Sequence, residues 1–347
     1  MKKKIGVVLF NLGGPDQLSS VKPFLFNLFN DPAIINAPSL IRYFLAKLIS
    51  SKREKTAQAI YANIGGKSPI LEETIKQANR LEKKLKNEKE DYKVFISMKY
   101  WNPLISATLK KIINWDPNEI VLLPLYPQFS TTTSGSSLEA WKKEVRKNKY
   151  NIPTKIICCY PKNKNFILSH LVEIKKTLNK IKNKKNKKIK LLFSAHGLPE
   201  RIIKRGDPYQ MQVEQTVEEI IYNMEKYKLS HTICYQSKVG PLKWIGPSTE
   251  NEIIKASINK QIIILIPIAF VGEHSETLVE LDIEYKEIAK LHGNSQYYRV
   301  PALGINKDFI NALYGLVIEK SDNSILNKKR CGKNYKECFY NKFLGNK

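Results

Sequence analysis

No stretch of this 347-residue chain approaches the roughly 18 uncharged apolar residues of a membrane span, so none is expected to cross a bilayer. Histidine and cysteine are scarce, at five residues each. The start, Met1-Lys2-Lys3-Lys4-Ile5, is basic, but Gly6-Val7-Val8-Leu9-Phe10 runs at once into a glycine turn, too short for a signal-peptide core. A cytoplasmic protein with reduced thiols is the expectation, since an odd cysteine count without a leader does not describe a disulfide framework. Cys158, Cys159 and Cys234 lie in apolar, strand-like runs and read as small buried hydrophobes. Cys331 and Cys338 stand in a basic tail, and two thiols do not complete a four-cysteine cluster.

Acidic residues are also few: 32 against 58 Lys and Arg, a formal charge of +26. The densest basic run, 182–188, has no interleaved aromatics on which bases could stack, so it reads as a solvated helix end and loop. Nucleic acid is not expected as a partner, though a basic surface attracts acidic small molecules and anionic lipid. Several motifs are missing. No G-x-G-x-x-G follows the first strand-like run, and Gly65-Gly66-Lys67-Ser68 has Tyr61 where a phosphate loop needs glycine. No serine sits in a G-x-S-x-G elbow, which removes the support for a hydrolase triad.

What is present is an alternation of short β-branched runs with longer helical patterns, the mark of βαβ units and parallel sheets. Strands are expected at 4–10, 93–97, 119–123, 155–159, 189–193, 231–235 and 261–266. Helices are expected at 74–87, 108–114, 165–181, 212–227 and 275–291. The halves echo each other: Ile120 to Leu125 resembles Ile263 to Ile268, and Leu9 to Gly13 answers Phe193 to Gly197. The pattern predicts an α/β protein of two similar doubly wound, Rossmann-like domains with parallel sheets and a cleft between them. The boundaries drawn are 1–152, joined by a closing helix at 307–320, then 153–306, and a basic tail at 321–347.

Chemistry belongs at the carboxyl ends of strands in such a sheet. Leu192-Phe193-Ser194-Ala195-His196-Gly197-Leu198-Pro199 ends an apolar run in an imidazole, and Ile262 to Val271 delivers Gly272-Glu273-His274-Ser275-Glu276 by the same logic. Glu276, Glu280 and Glu284 recur every fourth residue, on one face of a helix. That stripe is either a solvated acidic face near a helix N-terminus or a set of carboxylates that a divalent cation would relieve of mutual repulsion. Imidazole plus carboxylate without thiolate suits Fe(II), Co(II) or Zn(II) in transit. Aromatic and hydroxyl groups gather after the other strands, in Met98 to Pro103, Pro124 to Ser137 and Gln236 to Pro247, as the walls of a cleft for a large planar molecule with acidic side groups would require. The stretch 23–50 is rich in Phe, Leu and Ile and reads either as two core-packed helices or as an apolar lip at a membrane surface.

In order along the chain, Leu9 to Pro15, Ile64 to Ile70, Leu125 to Ser130, Ser194 to Pro199, Tyr235 to Pro241, Trp244 to Pro247 and Glu273 to Leu278 resemble the ferrochelatase family. The resemblance implies insertion of Fe2+ into protoporphyrin IX, with release of two protons, as the terminal step of haem biosynthesis. His196 and Glu276 match the metal-insertion pair, His274 a neighbouring catalytic position, and Glu280 and Glu284 a metal path. Leu12, Ser68, Tyr126, Ser130 and Trp244 match positions around the porphyrin. Lys99 matches a further porphyrin-binding position, at a propionate, where relatives often carry Arg, and it keeps the charge without the planar fork. Thr131, where some members place a cluster cysteine, and the lack of closely spaced thiols in the tail count against an iron–sulfur cluster, so no cofactor beyond the substrate metal is expected. A monomer or homodimer is expected, with peripheral contact at the inner face of the membrane where 23–50 forms the lip. His196 and Glu276 are expected to confront each other across the centre of the macrocycle. Rivals are a chelatase loading cobalt or nickel into another tetrapyrrole, and a haem or metal carrier without turnover.

Overall fold

The computed structural model describes residues 2–181, 188–319, 332 and 334–339. The basic run at 182–187, Cys331 and most of the tail lie outside them. The chain divides into two compact units, one running to Cys159 and resumed at Leu313, the other spanning Tyr160–Ala312.

Each unit holds one four-stranded sheet. In the first, β1 (Lys4–Asn11), β2 (Asp91–Met98), β3 (Glu119–Pro124) and β4 (Thr154–Ile156) lie in the order β2-β1-β3-β4. In the second, β5 (Ile189–His196), β6 (Ser230–Gln236), β7 (Ile262–Pro267) and β8 (Tyr297–Arg299) lie in the order β6-β5-β7-β8. Every pairing is parallel. The central strands β3 and β7 are buried at all six positions, as parallel sheets covered on both faces require. The helix Ile70–Leu85 shows how a face is covered: Ile70, Thr74, Gln77, Ala78, Leu81 and Leu85 are its buried residues, at helical spacing, with Lys and Glu opposite.

The sequence echo falls on equivalent strands, β1 with β5 and β3 with β7. Phe10 pairs with Pro124 in one sheet, and Ser194 with Pro267 in the other. Beyond the strands the likeness continues, because β3 leads into a π-helix at Thr131–Gly135 and β7 into one at Glu276–Glu284. In both sheets the strand order reverses between the two central strands, and the crevice outside such a reversal is where open α/β sheets bind ligands.

Two expectations are corrected. The run expected at 155–159 is β4, reduced to Thr154–Ile156, and it pairs with β3 of the first sheet rather than opening the second domain. The first unit therefore extends past residue 152, to Cys159. The closing helix forms at Lys307–Ile318, but only from Leu313 onward does it group with the first unit, where Tyr314 donates to Glu88 and Lys84 lies over its ring. Cys158, Cys159, Cys234 and Cys338 are all buried.

His170, on the helix Lys164–Lys180, is 2% exposed, packs edge-on against Phe166, and leaves Nε2 without a partner. Burial pushes its imidazole down to about 3. A group so depressed contributes stability that is complete above the unfolded imidazole range and is lost as pH falls below about 6.5. His170→Leu removes that dependence, so between pH 7 and 4.5 the variant loses about 2–3 kcal/mol less than the parent in urea unfolding. Parallel losses in the two proteins would contradict this.

Candidate active site

In the second unit, β5 and β7 are neighbours on either side of the strand-order reversal, and their register decides which side chains meet. Ser194 pairs with Pro267, so His196 emerges at the end of β5 beside the loop that follows β7. His196 Nε2 lies 3.9 Å from Glu276 Oε2, with the two side chains 38% and 29% exposed. His196 Nδ1 lies 2.6 Å from the carbonyl of Gly197. A carbonyl only accepts, so Nδ1 carries a proton, and Nε2 is the ring nitrogen that faces Glu276.

Gly197 makes that arrangement possible. A Cβ there would come within 3.0 Å of the Gln236 carbonyl and 3.1 Å of Trp244. Its own N–H donates to that Gln236 carbonyl, at 2.9 Å. The Trp244 indole stands tilted beside His196, ring centres 6.4 Å apart, and is held by its N–H on Val239 and by a bridge between Pro199 and Trp244.

Glu276 opens a π-helix, in which each N–H reaches back five residues and the turn is wider than in an α-helix. The expected helix at 275–291 is thus a π-helix to Glu284, followed by an α-helix at Tyr285–Leu291. His274 supports its start: Nδ1 accepts the Glu276 N–H at 3.1 Å, and its ring meets Phe270 edge-on. Burial lowers the His274 imidazole against the pull of Glu276 and Glu273. His274 is therefore a neutral brace whose Nδ1 is already engaged.

Glu280 is anchored from every side. It accepts from the Gln236 amide at 2.9 Å, the Ser237 N–H at 2.9 Å, the Ser237 hydroxyl at 2.6 Å and the Tyr285 hydroxyl at 2.9 Å. Burial, then the nearby Glu276 charge, raise its carboxyl against these donors. Ser237 holds a positive φ of 60°, which aims its N–H and hydroxyl at Glu280 together, and its hydroxyl is 3.5 Å from Glu276. Gln236, Ser237 and Tyr285 were not singled out by sequence reasoning. The motif containing Gln236 and Ser237 is visible, but nothing in its spacing shows that it meets a carboxylate more than forty residues away.

Arg299 on β8 braces the same region, reaching Asp282 with both prongs at 2.7 and 2.6 Å and Glu273 at 2.8 Å. Burial acts to raise the Glu273 carboxyl, but Arg299, the Thr277 hydroxyl and the Ala302 N–H together hold the group below the usual glutamate range.

The structure brings together His196, Glu276, His274, Glu280 and Trp244. Glu284 is exposed at the far end of the π-helix. One expectation is overturned: a ring inserted between two groups needs about 7 Å, two contacts of about 3.5 Å, and the 3.9 Å between His196 and Glu276 excludes it. The pair stands side by side, His196 at the end of β5 and Glu276 at the start of the π-helix that follows β7.

Leu12, Ser68, Lys99, Tyr126 and Ser130 belong to the first unit. Leu12 packs on the cluster of Val21, Phe24, Leu25, Tyr61 and Tyr100. The Ser68 hydroxyl lies 3.4 Å from the Ile70 N–H at a helix start, Gly14 pressing close enough that a Cβ would stand 2.5 Å from that of Ser68. Ser130 accepts from the Thr132 N–H and caps the π-helix Thr131–Gly135. Tyr126 is half-buried, and burial raises its phenol. Lys99 lies 3.3 Å from buried Asp31.

Among the described residues no three His, Cys, Asp or Glu side chains gather as a metal cage. A bare imidazole nitrogen and a carboxylate 3.9 Å apart can nevertheless share one divalent cation, since ligand bonds of about 2.0–2.2 Å together span that gap.

Two like-built parallel α/β units, one with an imidazole–carboxylate pair at its reversal point, define a protein of the chelatase class. The solved structure of SirB from Bacillus subtilis with Fe3+ shares this fold, with a TM-score of 0.53 at 12% identity over 93% of this chain and 97% of that one. The family model Ferrochelatase matches residues 4–321, and the chain belongs to the ferrochelatase family. It is 54% identical over 345 residues to the ferrochelatase of Pelagibacter ubique, covering 97% of this chain and 98% of that protein. It is 52% identical over 329 residues to that of Rickettsia bellii, covering 94% and 89%. The protein is accordingly an enzyme that inserts iron into porphyrin in haem biosynthesis.

Proposed function

We propose that the porphyrin is protoporphyrin IX, that the metal is Fe2+, and that His196 and Glu276 work from one side of the macrocycle. Fe2+ replaces two pyrrole N–H protons, so a group must accept each proton as the metal–nitrogen bonds form. The observation that carries this reading is the bond from His196 Nδ1 to the Gly197 carbonyl, which leaves Nε2 as the open base. Nε2 takes one pyrrole proton, the adjacent Glu276 carboxylate stabilises the imidazolium and passes the proton on to solvent, and the second pyrrole proton leaves by the same route, so that the pair ends in its starting state. His274 and Glu280 keep Glu276 in place, and Trp244 forms a wall. Leu12, Tyr126 and Ser130 match family positions around the porphyrin. The test follows the loss of free-porphyrin fluorescence on adding Fe2+, which should proceed with the parent protein and stop in His196→Ala. Porphyrin bound without turnover by the parent would point to a carrier and end the reading.

We further propose that the enzyme works in the cytoplasm against the inner face of the membrane. No helix among the described residues is long and apolar enough to cross a bilayer. On the helix Ser39–Ala62, however, Leu40, Ile41, Tyr43, Phe44, Leu45 and Leu48 are exposed, on a strongly basic protein. The doubly charged variant Phe44→Asp, Leu45→Asp should leave the lipid fraction in flotation with anionic liposomes. Unchanged flotation would remove the membrane contact.

A further inference from the structure

Asp31 is the sole acidic residue between Asp16 and Glu54, in the turn between the helices Val21–Phe29 and Ser39–Ala62. It is 6% exposed, yet surrounded by donors. The Tyr100 hydroxyl donates to it at 2.7 Å, the Ser136 hydroxyl at 2.5 Å, and the Ala33 N–H at 2.8 Å. The Lys99 ammonium stands 3.3 Å away and also donates to the Ser136 carbonyl at 3.2 Å. Burial acts to raise the Asp31 carboxyl, and these partners together hold it below the usual range. The segments that converge here are the ends of the sheet itself. Lys99 and Tyr100 follow β2, and their backbone N–H groups donate to the carbonyls of Asn11 and Leu12 at the end of β1. Ser136 begins the helix after β3, and Tyr100 accepts the Asn27 amide at its carbonyl. Arg42 ties the turn from the other side, donating to the Asn30 and Ala37 carbonyls.

We infer that Asp31 is a positioning residue for porphyrin binding: its carboxylate fastens the two-helix arm to the strand ends that carry Leu12 and Tyr100, and Lys99 acts on Asp31 instead of on a substrate carboxylate. The inference rests on the porphyrin reading above, but affinity measured without metal separates it from the roles of His196 and Glu276. A buried ion pair that loses one partner leaves an uncompensated charge, whereas losing both is far milder. Lys99→Met and Asp31→Asn should therefore each weaken porphyrin binding about tenfold, and the double variant should recover to within about threefold of the parent. Fluorescence quenching with protoporphyrin and with its uncharged dimethyl ester reads both points. The single variants should weaken the two ligands equally. Tyr100→Phe and Ser136→Ala, which each remove one hydroxyl and preserve the packing, should weaken binding about two- to fivefold, so the inference stays testable if Asp31→Asn does not fold. Loss confined to the dicarboxylate in Lys99→Met, with no recovery in the double variant, would assign Lys99 to the substrate and overturn the inference. So would unchanged affinity in both hydroxyl variants. If the parent bound neither porphyrin, the underlying reading would fail with it, whereas a His196→Ala enzyme that kept turnover would end the proton-acceptor role and leave the Asp31 coupling standing.

Discussion

Turnover of iron or zinc into porphyrin falls by about two to four orders of magnitude in His196→Ala, while porphyrin affinity changes little. The expectation follows from what the ring does locally. Its Nδ1 proton is held by the Gly197 carbonyl at 2.6 Å, so the strand end fixes both the tautomer and the direction of Nε2. Alanine removes the base without disturbing β5, whose preceding residues Leu191 to Ala195 are buried independently of it. His196→Gln should not substitute, because an amide cannot accept and later release a pyrrole proton. Stopped-flow fluorescence in single turnover checks the step. A rate within threefold of the parent would show that proton removal proceeds elsewhere.

The second large effect is structural and falls on the same site. Arg299→Met should destabilise the second unit by about 3–5 kcal/mol, because Glu273 and Asp282 keep their charges after the shared partner is gone. The pH dependence should also weaken. With Arg299 present, the lowered Glu273 carboxyl contributes stability that is complete above the ordinary glutamate range and is lost as pH falls through its lowered value. Without Arg299 the Thr277 hydroxyl and the Ala302 N–H remain as donors against burial, so ionisation of Glu273 contributes less stability and acid removes less. The stability gap between the two proteins should narrow below about pH 4.5. Urea unfolding at pH 7 and pH 4 reads the gap, and hydrogen exchange should show opening at 273–284, the loop and π-helix that carry Glu276. A gap constant with pH would mean that Arg299 contributes packing alone.

Much of this site was legible in the sequence because parallel strands announce themselves as short β-branched runs and because ligands meet their carboxyl ends. That logic offered His196 and the run Gly272 to Glu276, and the family resemblance singled out His196 and Glu276 from them. What could not be read was their relation. A fourfold spacing of glutamates fits α- and π-helices alike, so the wide turn at Glu276–Glu284 was hidden, and with it the anchoring of Glu280 by Ser237 and Gln236. Strand order was equally silent. Only the pairing of β5 with β7 shows that the end of β5 and the segment after β7 lie together, so that the imidazole and the carboxylate stand side by side. β8, three residues long, was too short to register as a strand, yet it supplies Arg299. Asp31 had a faint signal, a lone acid in an apolar basic arm, but its partners come from strand ends remote in sequence.

The most direct test of the account is chemical rescue. In His196→Gly, imidazole added to a single-turnover insertion assay should restore part of the lost rate, in proportion to the concentration of its neutral form, because the missing group is a base beside Glu276. Failure of imidazole to raise the rate, in a variant that still binds porphyrin and retains its fold, would contradict it.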